Sequence, residues 1–343
     1  MRSLRNASPT SPSSHGSHKV QLAGPQPGAG LPPAAGTRPA AGQRPAQERP
    51  GPVRVWILAA RVPTLPAAVV PVLVGSATAW KAAGAFHLGA FLAALAASLL
   101  IQIGTNLAND LFDFKRGADN EARTGPVRVT HAGLLTPAQV ARGTAVCFGL
   151  AFLIGLYLVY RGGWPILAVG LASIASGILY TAGPWPLAYH GLGDVFAFLF
   201  FGVVAVVGTH YVHALSVDPL ALAASLPVGF LVTAILVVNN LRDIPTDRAA
   251  GKRTLAVRLG DRGTRVQYAA LVAGAYAVPL GLLLAGAQGP WVLLPFLSLL
   301  VSLPLLKTVL GGAAGAALNP VLKGTGRLHL VFGLLFAVGL LLG

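Results

Sequence analysis

Only ten of the 343 residues are acidic, and five of them fall in two short polar strings. Asp110, Asp113 and Asp119 lie in NLANDLFDFKRGAD, and Asp243 and Asp247 lie in NNLRDIPTD. Both strings continue apolar runs that end on the same side, and a carboxylate at the edge of an apolar phase is costly unless something binds it. Gln102, Asn106, Asp110 and Asp113 follow spacings of four, four and three, which align them on one helix face. Asn239, Asp243 and Asp247 repeat the pattern, with Asn240 alongside. If the two helices pack side by side, both stripes face one cavity rich in carboxylate and amide oxygens. Hard oxygen ligands of this kind suit magnesium, which takes one or two carboxylates per ion and fills its shell with water and substrate phosphate. Two clusters fit two ions. A diphosphate would enter such a pocket only with bridging cations. Lys115, Arg116, Arg128, Arg242, Lys252 and Arg253 lie close by in sequence to hold or neutralise it.

The elements that must position these residues are membrane helices. The chain is 54% hydrophobic and only 10% charged, with a mean hydropathy of +0.68, whereas about a quarter of residues are charged in soluble domains. The expectation is an all-α polytopic membrane protein with nine spans: 64 to 82, 87 to 108, 142 to 161, 164 to 183, 192 to 214, 219 to 240, 266 to 286, 290 to 308 and 326 to 342. Residues 1 to 52 carry no apolar run and are rich in Pro, Ser and Gly, the composition of a disordered, cytoplasmic tail. Residues 53 to 343 form the membrane domain. With this count every Lys and Arg except Lys81 and Arg161 falls on one side. That is the positive-inside pattern, and it accounts for the net charge of +15 without nucleic acid. It places the amino terminus in the cytoplasm and the carboxyl terminus outside. The clusters recur four spans apart at the same end, as in a parallel internal duplication.

The strings NDLFDFKRGAD and NNLRDIPTDRAAGKRTLAVRLG resemble the two signature regions of the UbiA superfamily of intramembrane prenyltransferases. TGPVRVTHAG, RVPTLP from Arg61 and YTAGPWPLAYHGLGD from Tyr180 extend the likeness, which is greatest to the 1,4-dihydroxy-2-naphthoate polyprenyltransferase (MenA) branch. The resemblance implies a nine-helix bundle around a central cavity opening at the cytoplasmic side of a bacterial plasma membrane. It also implies two magnesium ions, a polyprenyl diphosphate donor and 1,4-dihydroxy-2-naphthoate as acceptor. Asn106, Asn109, Asp110 and Asp113 match the first motif and Asp119 a further aspartate; Asp243 and Asp247 match the second, with Asn239 in the same stripe. Asp110, Asp113, Asp243 and Asp247 are the catalytic candidates, and Arg61, Tyr180 and Tyr189 the acceptor-binding ones. Pro245 interrupts the second motif and is expected to bend or end its helix after Arg242.

The implied chemistry is electrophilic prenylation. Basic side chains, together with magnesium, draw diphosphate off the allylic carbon, the apolar bundle shields the cation, and an electron-rich ring attacks it. Carboxylate loss then restores the ring and yields a demethylmenaquinone in its reduced, quinol form. No protein nucleophile is required, consistent with the lack of a Ser/His/Asp or Cys/His arrangement; Cys147 lies alone in an apolar run. The alternatives are another acceptor, such as 4-hydroxybenzoate or homogentisate, and, from a different class, a cation-coupled transporter. His210 and His213 are expected to pack at the outer interface, and Asp194 to start a helix.

Overall fold

The computed structural model describes residues 50–117, 125 and 128–343. The expected tail up to residue 49, Asp119 and Arg123 lie outside the described residues. Among the described residues all regular structure is helical. Eleven α-helices run in chain order: α1 (Pro52–Ala60), α2 (Pro66–Ala83), α3 (Leu88–Lys115), α4 (Pro137–Gly162), α5 (Trp164–Leu179), α6 (Gly193–Ala197), α7 (Ala205–Ala214), α8 (Pro219–Ala249), α9 (Leu255–Leu284), α10 (Leu299–Leu310) and α11 (Leu318–Leu342). A π-helical stretch, Phe198–Val204, joins α6 to α7 as one rod, and a 3-10 stretch, Pro290–Ser298, leads into α10.

Seven of the described helical rods are long and apolar enough to cross a membrane, and eight are if α1 and α2, bent by 51° at their junction, count as one. Two of the nine expected spans therefore differ from expectation. The span at 164 to 183 is the 16-residue α5, which rises only about 24 Å against a hydrocarbon core of about 30 Å. Its end falls before Gly183, Pro184 and Pro186, which cannot continue a helix. The first span needs α1 to reach full length. Arg61 sits at the bend in a left-handed conformation (φ 54°), rare for a residue with a Cβ.

Local sequence explains most helix starts. Thr136 and Gln139 form a reciprocal capping box that begins α4 five residues before its expected apolar start. Asp218 accepts the Leu220 N–H at the head of α8, and Thr254 accepts the Val257 N–H at the head of α9. Pro245 does not end α8. The helix runs on to Ala249 with Pro245 inside it, so Asn239, Asp243 and Asp247 stay in one helix. Thr246 Oγ1 donates to the Asp243 carbonyl there, adding a bond inside the turn from which proline removes one.

The main core joins α2, α8, α9 and α11 through Val70, Val74, Leu231, Val238, Val272 and Phe332. A smaller one joins α1, α3 and α4 through Val55, Ala59, Leu107, Leu111, Val129 and Val140. Helices in lipid gain little from hydrophobic exclusion and associate through close backbone approach at small residues. Gly202 in the π-helical stretch meets Gly229 of α8 so closely that a Cβ on Gly202 would stand 2.5 Å from the Gly229 Cα. Gly149 of α4, by contrast, is exposed with open space around it. Gly202→Val is expected to lower the thermal unfolding midpoint in detergent by several degrees or abolish folded yield, while Gly149→Val leaves it unchanged.

Candidate active site

α3 remains helical through its whole motif, and all four members of the stripe, Gln102, Asn106, Asp110 and Asp113, are buried. Each makes a different tie. Gln102 and Asn106 donate to Thr64 Oγ1 (3.1 and 2.9 Å), and Asn106 also donates to the Ala60 carbonyl, so the stripe holds the α1–α2 bend. Asp110 accepts the backbone N–H groups of Val129 (2.9 Å) and Thr130 (3.3 Å) and anchors the chain returning toward α4. Asn109 Oδ1 accepts the Thr181 hydroxyl at 2.9 Å, drawing in the segment that follows α5.

Asp113 is the junction. Its carboxylate accepts from Arg128 Nη2 (2.9 Å), Tyr189 Oη (3.2 Å) and Lys252 Nζ (3.3 Å). These donors come from the loop before α4, the loop before α6 and the loop after α8. Lys252 Nζ and the Arg116 guanidinium also lie over the Tyr189 ring at 4.8 and 5.2 Å. Arg116 further donates to the Gly183 carbonyl.

At the end of α8, Asp243 accepts a two-pronged bond from Arg242, Nε to Oδ1 at 2.8 Å and Nη2 to Oδ2 at 2.6 Å. Arg242 Nη2 also donates to Asn239 Oδ1, and Nη1 to Asn319 Oδ1 on α11. Arg242 is only 2% exposed, so its charge is compensated inside the protein. Asp247 is half-buried, and its carbonyl accepts the Lys252 N–H.

The two clusters share one region, though not as the side-by-side packing of their helices. α3 and α8 do not pack along their lengths; α2 contacts both. Their tips are joined instead by the loop after α8, whose Lys252 reaches Asp113. Tyr180 reports the same convergence. Its phenol is held protonated well above the ordinary range, first by burial and then by the charges of Asp194, Asp113 and Asp247.

Of the remaining expected residues, Lys115 is exposed over the Phe112 ring, which packs against the smaller core. Arg253 has an exposed side chain, and its backbone N–H donates to the Tyr189 carbonyl. Arg61 lies at the α1–α2 bend and Tyr189 against Asp113. His210 and His213 lie in the last two turns of α7. Both are buried against α2, bonded to Thr78 and Ser76 respectively. Asp194 stands in the first turn of α6, as expected. Thr64, Thr181, Gln267 and Asn319 are not singled out by the sequence, because each meets its polar partner only through long-range folding.

Among the described residues no three His, Cys, Asp or Glu side chains converge as a metal cage. The donor set nevertheless fits a magnesium ion, which needs only one or two protein carboxylates when a phosphate supplies other oxygens. Each of Asp113 and Asp243 already faces a cationic side chain where a divalent cation would stand. A separate apolar cavity of about 140 Å³, lined by residues such as Ala97, Ile101, Ala151 and Ile174, opens between α3, α4, α5 and α7. Phe148 packs over Gly104 and Gly177, between this cavity and the aspartate end of the bundle.

Among the described residues the architecture is an all-helical membrane bundle with carboxylates, amides and cations gathered at one end. The model of the UbiA prenyltransferase family matches residues 68–312, and the chain belongs to that family. It is 42% identical over 289 residues to the 1,4-dihydroxy-2-naphthoate octaprenyltransferase of Mycobacterium tuberculosis, covering 84% of this chain and 97% of the relative. It is 34% identical to the enzyme of that name from Bacillus subtilis, over 84% of this chain and 92% of the relative. Among solved structures, a UbiA homolog from Aeropyrum pernix shares the fold with a TM-score of 0.62 at 17% identity, covering 80% of this chain and 96% of the other. One from Archaeoglobus fulgidus, bound to GPP and Mg2+, does so with a TM-score of 0.57 at 15% identity, covering 84% and 100%.

Asp113→Ala removes the carboxylate that Arg128 and Lys252 share, and breaking such a buried pair costs about 3–5 kcal/mol. Asp261→Ala breaks a pair whose carboxylate is 61% exposed, and the buried Arg265 keeps its bonds to the Val309 and Ala313 carbonyls, so the loss is expected to be smaller. Denaturant titrations in detergent should reproduce that order.

Proposed function

We propose that this protein transfers a polyprenyl group from polyprenyl diphosphate to 1,4-dihydroxy-2-naphthoate, with loss of the carboxylate, in menaquinone biosynthesis. The observation that carries the reading is end-to-end similarity to enzymes of that name, spanning 97% of the mycobacterial relative. The site supports it, because both acidic motifs and the cations around them meet at one end of the bundle.

In this reading Asp110, Asp113, Asp243 and Asp247, with the amide oxygens of Asn106, Asn109 and Asn239, hold two magnesium ions; Asp119 belongs to the same motif. Bound magnesium supplies charge neutralisation to the departing diphosphate. Arg128 and Lys252 bind the anion from the Asp113 side, Arg242 from the Asp243 side, and Arg116 and Arg253 from the rim. Tyr180, Tyr189 and Arg61 orient the acceptor. Buried apolar side chains keep water from the allylic cation until the ring attacks it. The cavity beyond Phe148 gives an apolar chain a place outside the polar end.

The chain crosses the bacterial plasma membrane nine times, with α1 and α2 as the first crossing and α5 as a short fourth. Residues 1–52 form a cytoplasmic segment, the bundle of residues 53–343 opens to the cytoplasm, and the carboxyl terminus lies outside.

Detergent-solubilised protein incubated with magnesium, a polyprenyl diphosphate and each candidate acid is expected to prenylate the naphthoate. Transfer only to 4-hydroxybenzoate or homogentisate would reject that acceptor. Chelation is expected to stop turnover and added magnesium to restore it. Asp243→Asn keeps the side-chain shape but removes its charge, and should abolish turnover while folded protein remains in the membrane.

A further inference from the structure

One buried carboxylate belongs to neither acidic motif. Asp194 is 5% exposed in the first turn of α6. Among the described residues it forms no ion pair with Lys or Arg. Its partners are neutral amides: Gln267 Nε2 of α9 donates to Oδ2 at 2.7 Å, and Asn240 Nδ2 of α8 donates to Oδ1 at 3.5 Å. A buried carboxylate without a cation is expensive and needs a reason. The buried aspartates of the two motifs have their oxygens taken, Asp113 and Asp243 by guanidinium or ammonium groups and Asp110 by backbone N–H groups.

Gln267 adds a second, independent sign. The carboxylate dictates that its N–H end faces Asp194, since the reverse orientation would set two acceptors against each other. Gln267 Oε1 is then a buried acceptor with no hydrogen-bond partner. Such an orphan is uncommon in a folded protein and calls for a donor from elsewhere. The place is next to the reaction region: the Tyr180 hydroxyl abuts Gly193, 3.0 Å from where a Cβ would stand, and Tyr180 senses the charges of Asp194, Asp113 and Asp247 together. A carboxylate and a vacant amide oxygen side by side are two acceptors awaiting hydroxyl donors.

We propose that Asp194 and Gln267 receive the hydroxyl groups of the aromatic acceptor, and that Asp194 is the base which takes the proton of the hydroxyl beside the carboxyl-bearing ring carbon. This rests on the naphthoate reading. As that carbon bonds to C1 of the prenyl chain, the C1–O bond breaks and diphosphate leaves with its electron pair. The neighbouring C–OH becomes C=O, and its proton passes to Asp194. The β-keto carboxylate loses carbon dioxide, the electron pair of the broken C–C bond re-forms the enolate ring, and Asp194 returns the proton to its oxygen. The proton is borrowed and restored, so no further reactant is needed. Arg and Lys are absent from this carboxylate because a cation there would compete for the same oxygens.

Asp194→Asn should lower kcat on the order of 100-fold, as loss of a general base does, without changing KM for the polyprenyl diphosphate. Asp194→Glu should recover part of the rate. A ring-halogenated dihydroxynaphthoate, whose hydroxyl is more acidic, should rescue the Asn variant more than it speeds the wild type. Gln267→Met should raise KM for the naphthoate alone. Equal loss of rate with both acceptors, or an Asn variant as fast as wild type, overturns the proton role. An unchanged naphthoate KM in Gln267→Met overturns the hydroxyl-binding role. Wild-type protein inert toward the naphthoate overturns the function on which this inference rests, whereas an active wild type beside an equally active Asn variant overturns the inference alone.

Discussion

The buried carboxylate of Asp113 is the point on which the polar end of the bundle depends. It stands at the tip of a long apolar helix, where an uncompensated charge is not tolerated, and three loops supply its partners: Arg128, Tyr189 and Lys252. Compensating that one charge requires the chain before α4, the chain before α6 and the chain after α8 to meet at the same place. The meeting joins the first acidic motif to the second. Without it α3 and α8, which do not pack along their lengths, would present their carboxylates separately.

Around that point the carboxylates differ in what they are bonded to. Asp113 and Asp243 are matched with Arg128, Lys252 and Arg242; in the proposed reading a phosphate and divalent cations enter these pairs by exchanging partners, keeping positive next to negative throughout. Asp194 is matched with amides only, which leaves a carboxylate whose oxygens are not claimed by a fixed cation. Asp110 is turned to the backbone of Val129 and Thr130 and shapes the loop that brings Arg128 in. The same residue type thus serves three electrostatic roles within one end of the bundle, set by what each carboxylate is bonded to.

The rest of the bundle is held by close contacts between helices. Close backbone approach at Gly202 and Gly229, and at Gly75 against α7, lets helices touch where lipid offers no hydrophobic drive. Phe148, seated over Gly104 and Gly177, separates the polar end from the apolar cavity beyond it. His210 and His213, at the end of α7, spend their polarity on Thr78 and Ser76 inside that packing.

Apolar runs, basic loops and the two aspartate strings are local properties, so the chain by itself determined a helical membrane protein with carboxylates gathered at one end. The spacing of Gln102, Asn106, Asp110 and Asp113 was enough to place them on one buried face, because helix periodicity needs no tertiary information. Of the two outcomes expected at Pro245, an end to the helix did not occur, and at α5 the Gly and Pro residues after Tyr180 ended the helix early. Only the tertiary structure decided that Lys252 reaches Asp113, that Asn319 receives Arg242, and that Gln267 faces Asp194. Those partners lie 139, 77 and 73 residues apart, and such pairings are set by the energy of compensating buried charge across the whole fold, which no local pattern encodes.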